Sequence, residues 1–339
     1  MTGKRWVVFF ILLMAFAKPV CAENGERRTV TFQRPKAPDG GPTKVYVTMI
    51  VMDIDEINSA NQNFKANIFL TAYWHDPQLV HDGPGKRVLP LKEVWHPQLQ
   101  FVNQQKIWLT LPEDVYVFPD GRVEYDQRVW GPFSQPLDVH DFPFDTQDFA
   151  VRIAAGQHSP EEVIFESSPE IPSGLAPEFS LPDWEVLDWK LDFTPYQPIG
   201  PKFKSASFTL VLEARRYAYH YLLKVILPLV MIVIMSWIVF WIDPKESGTQ
   251  IGVATTSMLT LIAYRFMVGG QIPIVPYLTR MDYFIFGSTI LVFASLVQSV
   301  LTSIMVRRNH RKLALRFDFW CRFLFPGTFI AIFVFSLFK

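Results

Sequence analysis

Cysteine is nearly missing from this chain: Cys21 and Cys321 are the only two in 339 residues. Lys4 and Arg5 precede an apolar run from Trp6 to Ala17, and Val20-Cys21-Ala22 has small residues at the spacing of a cleavage site, so residues 1–22 read as a secretory signal peptide. Cleavage there leaves Cys321 alone, and a lone cysteine excludes an internal disulfide in an exported chain. Net charge is missing too, with 32 Lys and Arg against 32 Asp and Glu. That balance removes any whole-chain electrostatic reason to bind nucleic acid. No nucleophile elbow, zinc-protease helix or phosphate-cradling glycine loop is present, so nothing argues for an enzyme or for a cofactor.

The charges that are present sit unevenly. Residues up to about Arg216 are rich in Asp, Glu, Lys and Pro, whereas long stretches after Tyr221 carry almost none. From Lys44 to Arg216, runs such as KVYVTMIVMDI, FKANIFLTAYW, QDFAVRIA and SASFTLVLEA are β-branched and aromatic and are separated by turn formers. Pro119-Asp120-Gly121 between two such runs reads as a hairpin turn. Residues 23–216 are therefore expected to form an all-β, immunoglobulin-like antiparallel sandwich on the outer side of a membrane.

Residues 217–339 are expected to hold four membrane helices, at about 221–242, 247–268, 283–306 and 317–338, each near the ~20 residues a span requires. Arg307, Arg308, Arg311, Lys312 and Arg316 fall between the third and fourth segments and belong on the cytoplasmic side. Four crossings that start outside agree with that placement.

The second segment, QIGVATTSMLTLIAYRF, is the odd one. At about 100° per residue, Gly252, Thr256, Leu259, Ala263 and Phe266 share one narrow face, with Thr249 near its edge. That stripe is small and hydroxylated at its inner end and apolar further out. Several copies around an axis could line a water-filled pore with an apolar gate; in a tightly packed bundle the same hydroxyls would bond to backbone carbonyls.

These features together resemble the pentameric ligand-gated ion channels, the Cys-loop receptor superfamily. QIGVATTSMLT is similar to the pore helices of the glycine-receptor branch, DVHDFPFDTQDF to the signature loop, WHPQLQFVN to the first binding loop, and ILPL with SWIVFWID to the first membrane helix. Pro136 and Phe149 stand where animal relatives place the disulfide, which resembles the bacterial, cysteine-free branch with a Pro-loop. In its place, Phe142, Phe144 and Phe149 are expected to anchor the loop.

The resemblance implies a homopentamer among membrane lipids of a bacterial inner membrane, with the β domain on the periplasmic side. It implies opening by a small-molecule agonist or protons and passage of ions. Its agonist site implies Phe69, Trp95, His158, Tyr196 and Phe203 as ligand residues. Coupling between domains falls to Asp145 of the FPFD motif with Phe142, Pro143 and Phe144, to Arg216, to Asn61 and Gln62 of the first turn, and to Pro273 and Pro276 of the linker GGQIPIVPYLTR. The first-turn residues are expected to touch that linker. Glu246, three residues before Thr249, is the candidate for cation selectivity, although Lys245 lies beside it. His75-Asp76 and His81-Asp82 read as strand end and turn and not as a metal site. A rival reading from another class is a membrane-anchored periplasmic binding or sensor protein without conduction.

Overall fold

The computed structural model describes residues 33–37, 40–198, 200, 204–270 and 275–338, so the signal-peptide reading lies outside the described residues. The strand runs form two facing sheets. In the first, β1 (Thr43–Asn58) pairs antiparallel with β2 (Asn63–His75) from Tyr46↔Tyr73 to Asn58↔Asn63. The other strands of this sheet are β3 (Arg87–Pro90), β5 (Trp108–Leu109), β6 (Asp114–Val117), β7 (Arg122–Ser134), β9 (Val163–Ser167) and β10 (Gly174–Leu175). β9 and β10 lie parallel to β1, so the sandwich is not antiparallel throughout as its sequence suggests. β9 follows β8 of the other sheet through residues 156–162, and β9 and β10 then lie one after the other along the same edge of β1, so the chain between β1 and β9 supplies the crossover that parallel pairing requires.

The second sheet has the order β11 (Trp184–Asp192), β12 (Ser207–Arg216), β8 (Thr146–Ala155), β4 (Leu99–Phe101). Alternation along each strand decides which faces meet. Val45, Val47, Met49 and Val51 on β1 and Phe64, Ala66, Ile68 and Leu70 on β2 are buried, and between the sheets Phe64 meets Phe149 edge-on at 5.3 Å. Phe149 in turn meets Trp184 at 5.3 Å. Truncating any of these rings to Ala would cost about 3–5 kcal/mol.

The Pro119-Asp120-Gly121 turn joins β6 to β7 as its sequence suggests. Phe118 N donates to Arg122 O at 2.8 Å, and Gly121 adopts φ +86°. A side chain at Gly121 would sit 2.7 Å from the Asp76 carbonyl, so glycine is needed there for space as well as for its backbone. Asp76 accepts from Gln78 N at 3.0 Å, His75 Nε2 contacts Asp120 O at 2.7 Å, and His81 Nε2 contacts Val117 O at 3.3 Å. All three groups serve local backbone.

Four helices long and apolar enough to cross a membrane follow the sandwich: α1 (Tyr219–Trp241), α2 (Ser247–Val268), α3 (Arg280–Arg307) and α4 (Arg311–Phe338). Residues Leu222–Ile226 of α1 form a π-turn. Pro228 lies just beyond; its ring crowds the carbonyl four residues back, and a widened turn relieves that crowding. α3 begins on a capping box in which Thr279 accepts from Asp282 N at 3.2 Å and Thr279 N donates to Asp282 at 2.9 Å. α4 starts at Arg311, so Arg311, Lys312 and Arg316 lie on a helix, and only residues 308–310 connect it to α3. Basic side chains are good helix formers at an interface, and the apolar window alone does not mark where the helix begins.

Candidate functional site at the domain boundary and along the polar helix

β12 ends at Arg216, where the sandwich meets α1. Its guanidinium is paired with Asp145 through Nε at 2.8 Å and Nη2 at 3.1 Å, and the two side chains are only 4% and 2% exposed. Nη2 also donates to Ser59 Oγ at 2.9 Å in the β1–β2 turn. The ring of Trp184 lies 4.1 Å from the guanidinium and that of Phe142 5.0 Å. Gln147 donates to Asp145 Oδ2 at 2.8 Å. The carboxylate is thereby satisfied on both oxygens, the condition under which a buried pair persists.

The signature loop between β7 and β8 wraps this pair. Phe142 is buried and meets Tyr221 of α1 edge-on at 4.7 Å, and the peptide between Phe142 and Pro143 is cis. Phe149 is buried on β8, but Phe144 is 38% exposed, contrary to its expected anchoring role. Phe142 fills the slot between Arg216 and Tyr221 in its place.

Gln62 has no hydrogen bond to the linker after α2 among the described residues. Its carbonyl accepts from Gln135 N at 2.8 Å and its Oε1 accepts from Leu137 N at 2.6 Å, so it holds the start of the signature loop instead. Asn61 is exposed, and its backbone N donates to Asn58 Oδ1 at 2.9 Å.

Contacts to the linker come from residues the sequence reading missed. Tyr277 stacks on His140 with centroids 3.8 Å apart and planes 5° from parallel, and its Oη accepts from Val139 N at 3.1 Å. Arg280, at the start of α3, pairs with Asp141 at 2.8 Å, and its backbone N donates to His140 O at 2.9 Å. The His140 side chain also bonds Asp138 at 2.6 Å and holds that carboxyl below the usual carboxylate range. The available signal was the HD of DVHD facing the Y and R of PYLTR. Pro276 is exposed beside Tyr277, and Pro273 lies outside the described residues.

On α2, Thr249, Gly252, Thr256, Leu259, Ala263 and Phe266 are all exposed, Leu259 at 62% and Phe266 at 85%. The opposite face, Gln250, Ala254, Ser257, Leu261, Tyr264 and Val268, is buried against the other helices. Thr256 Oγ1 donates to Gly252 O at 2.9 Å and Thr260 Oγ1 to Thr256 O at 2.8 Å. These hydroxyls therefore satisfy backbone carbonyls while remaining on an open face. Glu246 stands exposed before the first turn and has no ion pair among the described residues. Asp243 is tied to Lys245 N at 3.0 Å and to Arg311 at 3.1 Å, which together hold its carboxyl below the usual range.

The proposed ligand residues converge only in part within one chain. Trp95 is buried against Trp74 at 5.8 Å and lies 5.5 Å from His158, a core position and not an open aromatic wall. Phe69 alternates with the buried Ile68 and Leu70 and so faces the other side of its sheet. Tyr196 bridges to Ser205 with the Arg152 guanidinium 5.3 Å from its ring, and it lines a cavity of about 640 Å³ with Phe101, Gly156 and Pro198. Phe203 lies outside the described residues. A second cavity, about 460 Å³, is lined by Trp74, His96, Phe101, Glu113, Tyr125 and Gln127 among others. Burial, and next to it the neighbouring His158, pushes His96 below the usual histidine range.

Residues 30–190 match the family model described as the neurotransmitter-gated ion-channel ligand binding domain, and residues 225–317 match that of the neurotransmitter-gated ion-channel transmembrane region. The chain belongs to the neurotransmitter-gated ion-channel family. Glycine receptor subunit beta from Rattus norvegicus, Mus musculus and Homo sapiens is 26% identical to it over 287 residues, 80% of this chain. The chain spans 57% of the length of these curated relatives. Members of this family are multi-pass membrane proteins with an extracellular β domain, an architecture that the sandwich and four apolar helices reproduce. In this family member, the boundary between the two matched regions falls at Arg216 and its shell of partners.

Neutralising one member of that pair strands the other in a buried site, so Asp145→Asn and Arg216→Gln are each expected to cost about 3–5 kcal/mol. The double variant should lose less than the two single losses added together. Denaturant titration of the purified protein in lipid checks this, and strict additivity would mean that the two side chains act independently.

Proposed function

We propose that the chain is the subunit of a ligand-gated ion channel in which five identical copies surround an axis lined by α2. One observation carries the reading. The stripe from Thr249 to Phe266 has no cover within the chain and, with Thr255, Thr260 and Ile262 beside it, forms one broad open face, whereas the opposite face from Gln250 to Val268 is packed. Lipid gives hydroxyl-bearing residues no reason to gather on one face, whereas a ring of such faces encloses water at its inner end and an apolar constriction at Leu259 and Phe266. A bacterial inner membrane with the β domain outside accords with the cysteine-free signature loop.

Agonist binding between neighbouring β domains would shift the signature loop against Tyr277 and Arg280 and so move α3 and α2. A small molecule or protons can drive that change only by binding the open arrangement better than the closed one. Phe69 on one subunit and His158 or Tyr196 on its neighbour would be brought together by assembly, which accounts for their separation in one chain. Glu246 supports cation preference, because it is exposed at the inner mouth while Arg311 engages the nearby Asp243.

Burying a Leu side chain is worth about 1.5–3 kcal/mol, and opening hydrates all copies of Leu259 together. Each 1.4 kcal/mol or so of bias changes the open-to-closed ratio tenfold. Currents from purified protein in a planar bilayer, screened across small ligands and external pH, should therefore show leak without agonist and activation at lower agonist concentration for Leu259→Ser. Leu261→Ser, on the buried face, should show no comparable gain. Equal shifts in the two variants, or a silent bilayer with folded wild-type protein under every condition, would count against the pore and favour a non-conducting sensor.

Five copies of Glu246 concentrate negative charge at the inner mouth. Glu246→Gln should lower unitary conductance or move the reversal potential under a salt gradient toward less cation preference. If neither quantity changes, Glu246 has no part in selectivity.

A further inference from the structure

Three polar side chains meet inside the helical bundle. Gln250 on α2, Gln298 on α3 and Asp318 on α4 are 0%, 4% and 1% exposed. Gln298 Nε2 donates to Asp318 Oδ1, and the Gln250 side chain interacts with the same carboxyl group. Gln250 Nε2 donates to Val239 O at 3.2 Å and Ile242 O at 3.0 Å. Those two carbonyls fix the amide's orientation, since only its nitrogen can face them. What remains is a mismatch: Gln250 Oε1 and Asp318 Oδ2 are both buried and both lack a partner. Each is an acceptor, and an unsatisfied buried acceptor costs about 1–3 kcal/mol.

The charged neighbours do not resolve it. Arg322 lies one turn further along α4, yet its Nε donates to Phe240 O at 3.0 Å and its guanidinium rests 5.5 Å from the Trp241 ring. It forms no ion pair with Asp318 among the described residues. Asp243 is engaged by Arg311, and Cys321 is buried on the same helix. An intramembrane carboxylate without a cation is expensive, whereas a neutral carboxyl supplies the one donor that the cluster lacks.

We propose that Asp318 is a hydrogen-bond donor within the bundle, its carboxyl O–H given to Gln250 Oε1, so that the fourth helix is tied to the first turn of the pore helix. The bond itself does not depend on conduction; its effect on gating rests on the channel reading. Gln250 lies two residues from Gly252 of the exposed stripe. Any tilt of α2 that widens the inner mouth moves its amide relative to Asp318, and the bond therefore biases the pore toward one arrangement.

Infrared difference spectroscopy on the purified full-length protein in lipid tests the bond without requiring current. Subtracting the spectrum of Asp318→Asn from wild type at neutral pH should reveal a protonated-carboxyl C=O band. A carboxylate band in its place would overturn the proposal. For gating, Asp318→Asn keeps an N–H donor at this position and should leave the agonist concentration for half-activation within about twofold of wild type. Asp318→Leu keeps the branching at Cγ with a bulkier end and removes the donor, and a lost bond of about 1–1.4 kcal/mol corresponds to a shift of about five- to tenfold. Equal shifts in the two variants would refute the donor role. A protein that gives the infrared band yet never conducts would retain the tether and lose the channel reading instead.

Discussion

The buried pair of Arg216 and Asp145 is the constraint around which the rest of this molecule is arranged. A guanidinium taken out of water loses several kcal/mol of hydration, and only full use of its donors returns it. Here it is bonded to Asp145 from the signature loop and to Ser59 from the first turn, while Trp184 of the sandwich and Phe142 of the loop cover its faces. Four separate segments must therefore be in register at once for the charge to be tolerated. Such a pair adds little net stability over an apolar substitute, but it penalises every misaligned arrangement of the two domains.

From that point the contacts run outward in a continuous series. The loop that supplies Asp145 also presents His140 and Asp141, which engage Tyr277 and Arg280 at the entry to α3. At the far end of the bundle, Gln298 on α3 meets Asp318, and Asp318 meets Gln250 at the foot of α2. Both ends of α2 are thus bordered by polar contacts to elements that do not themselves line the stripe. Polar contacts have narrow geometric tolerance, so such contacts favour discrete arrangements over gradual deformation.

How much of this could be read from the sequence follows from the range of the forces involved. Strands and membrane helices were legible because two-residue alternation and long apolar runs are local patterns. Asp145 and Arg216 were legible because FPFD and the entrance to α1 are distinctive motifs. The surroundings of Phe144, Trp95 and Gln62 were not legible because they depend on which loop reaches a given slot, and that is decided in three dimensions. Trp95 and His158 meet within the chain, while Phe69 lies on the outer side of its sheet, a difference that alternation along β2 sets. Asp318 was visible as an acid in an apolar segment, yet its partners, 20 residues away on α3 and on another helix altogether, were not.

The claim on which everything else depends is that the exposed stripe of α2 faces a water-filled pore. The scarcity of cysteine makes a direct test clean, since Cys321 is buried. Single-channel recording of purified Leu259→Cys and Leu261→Cys proteins, with a water-soluble thiol reagent applied during opening, measures which face meets the ion path. The account predicts irreversible block of unitary currents in Leu259→Cys and no effect in Leu261→Cys. Modification of Leu261→Cys with Leu259→Cys unaffected would contradict it.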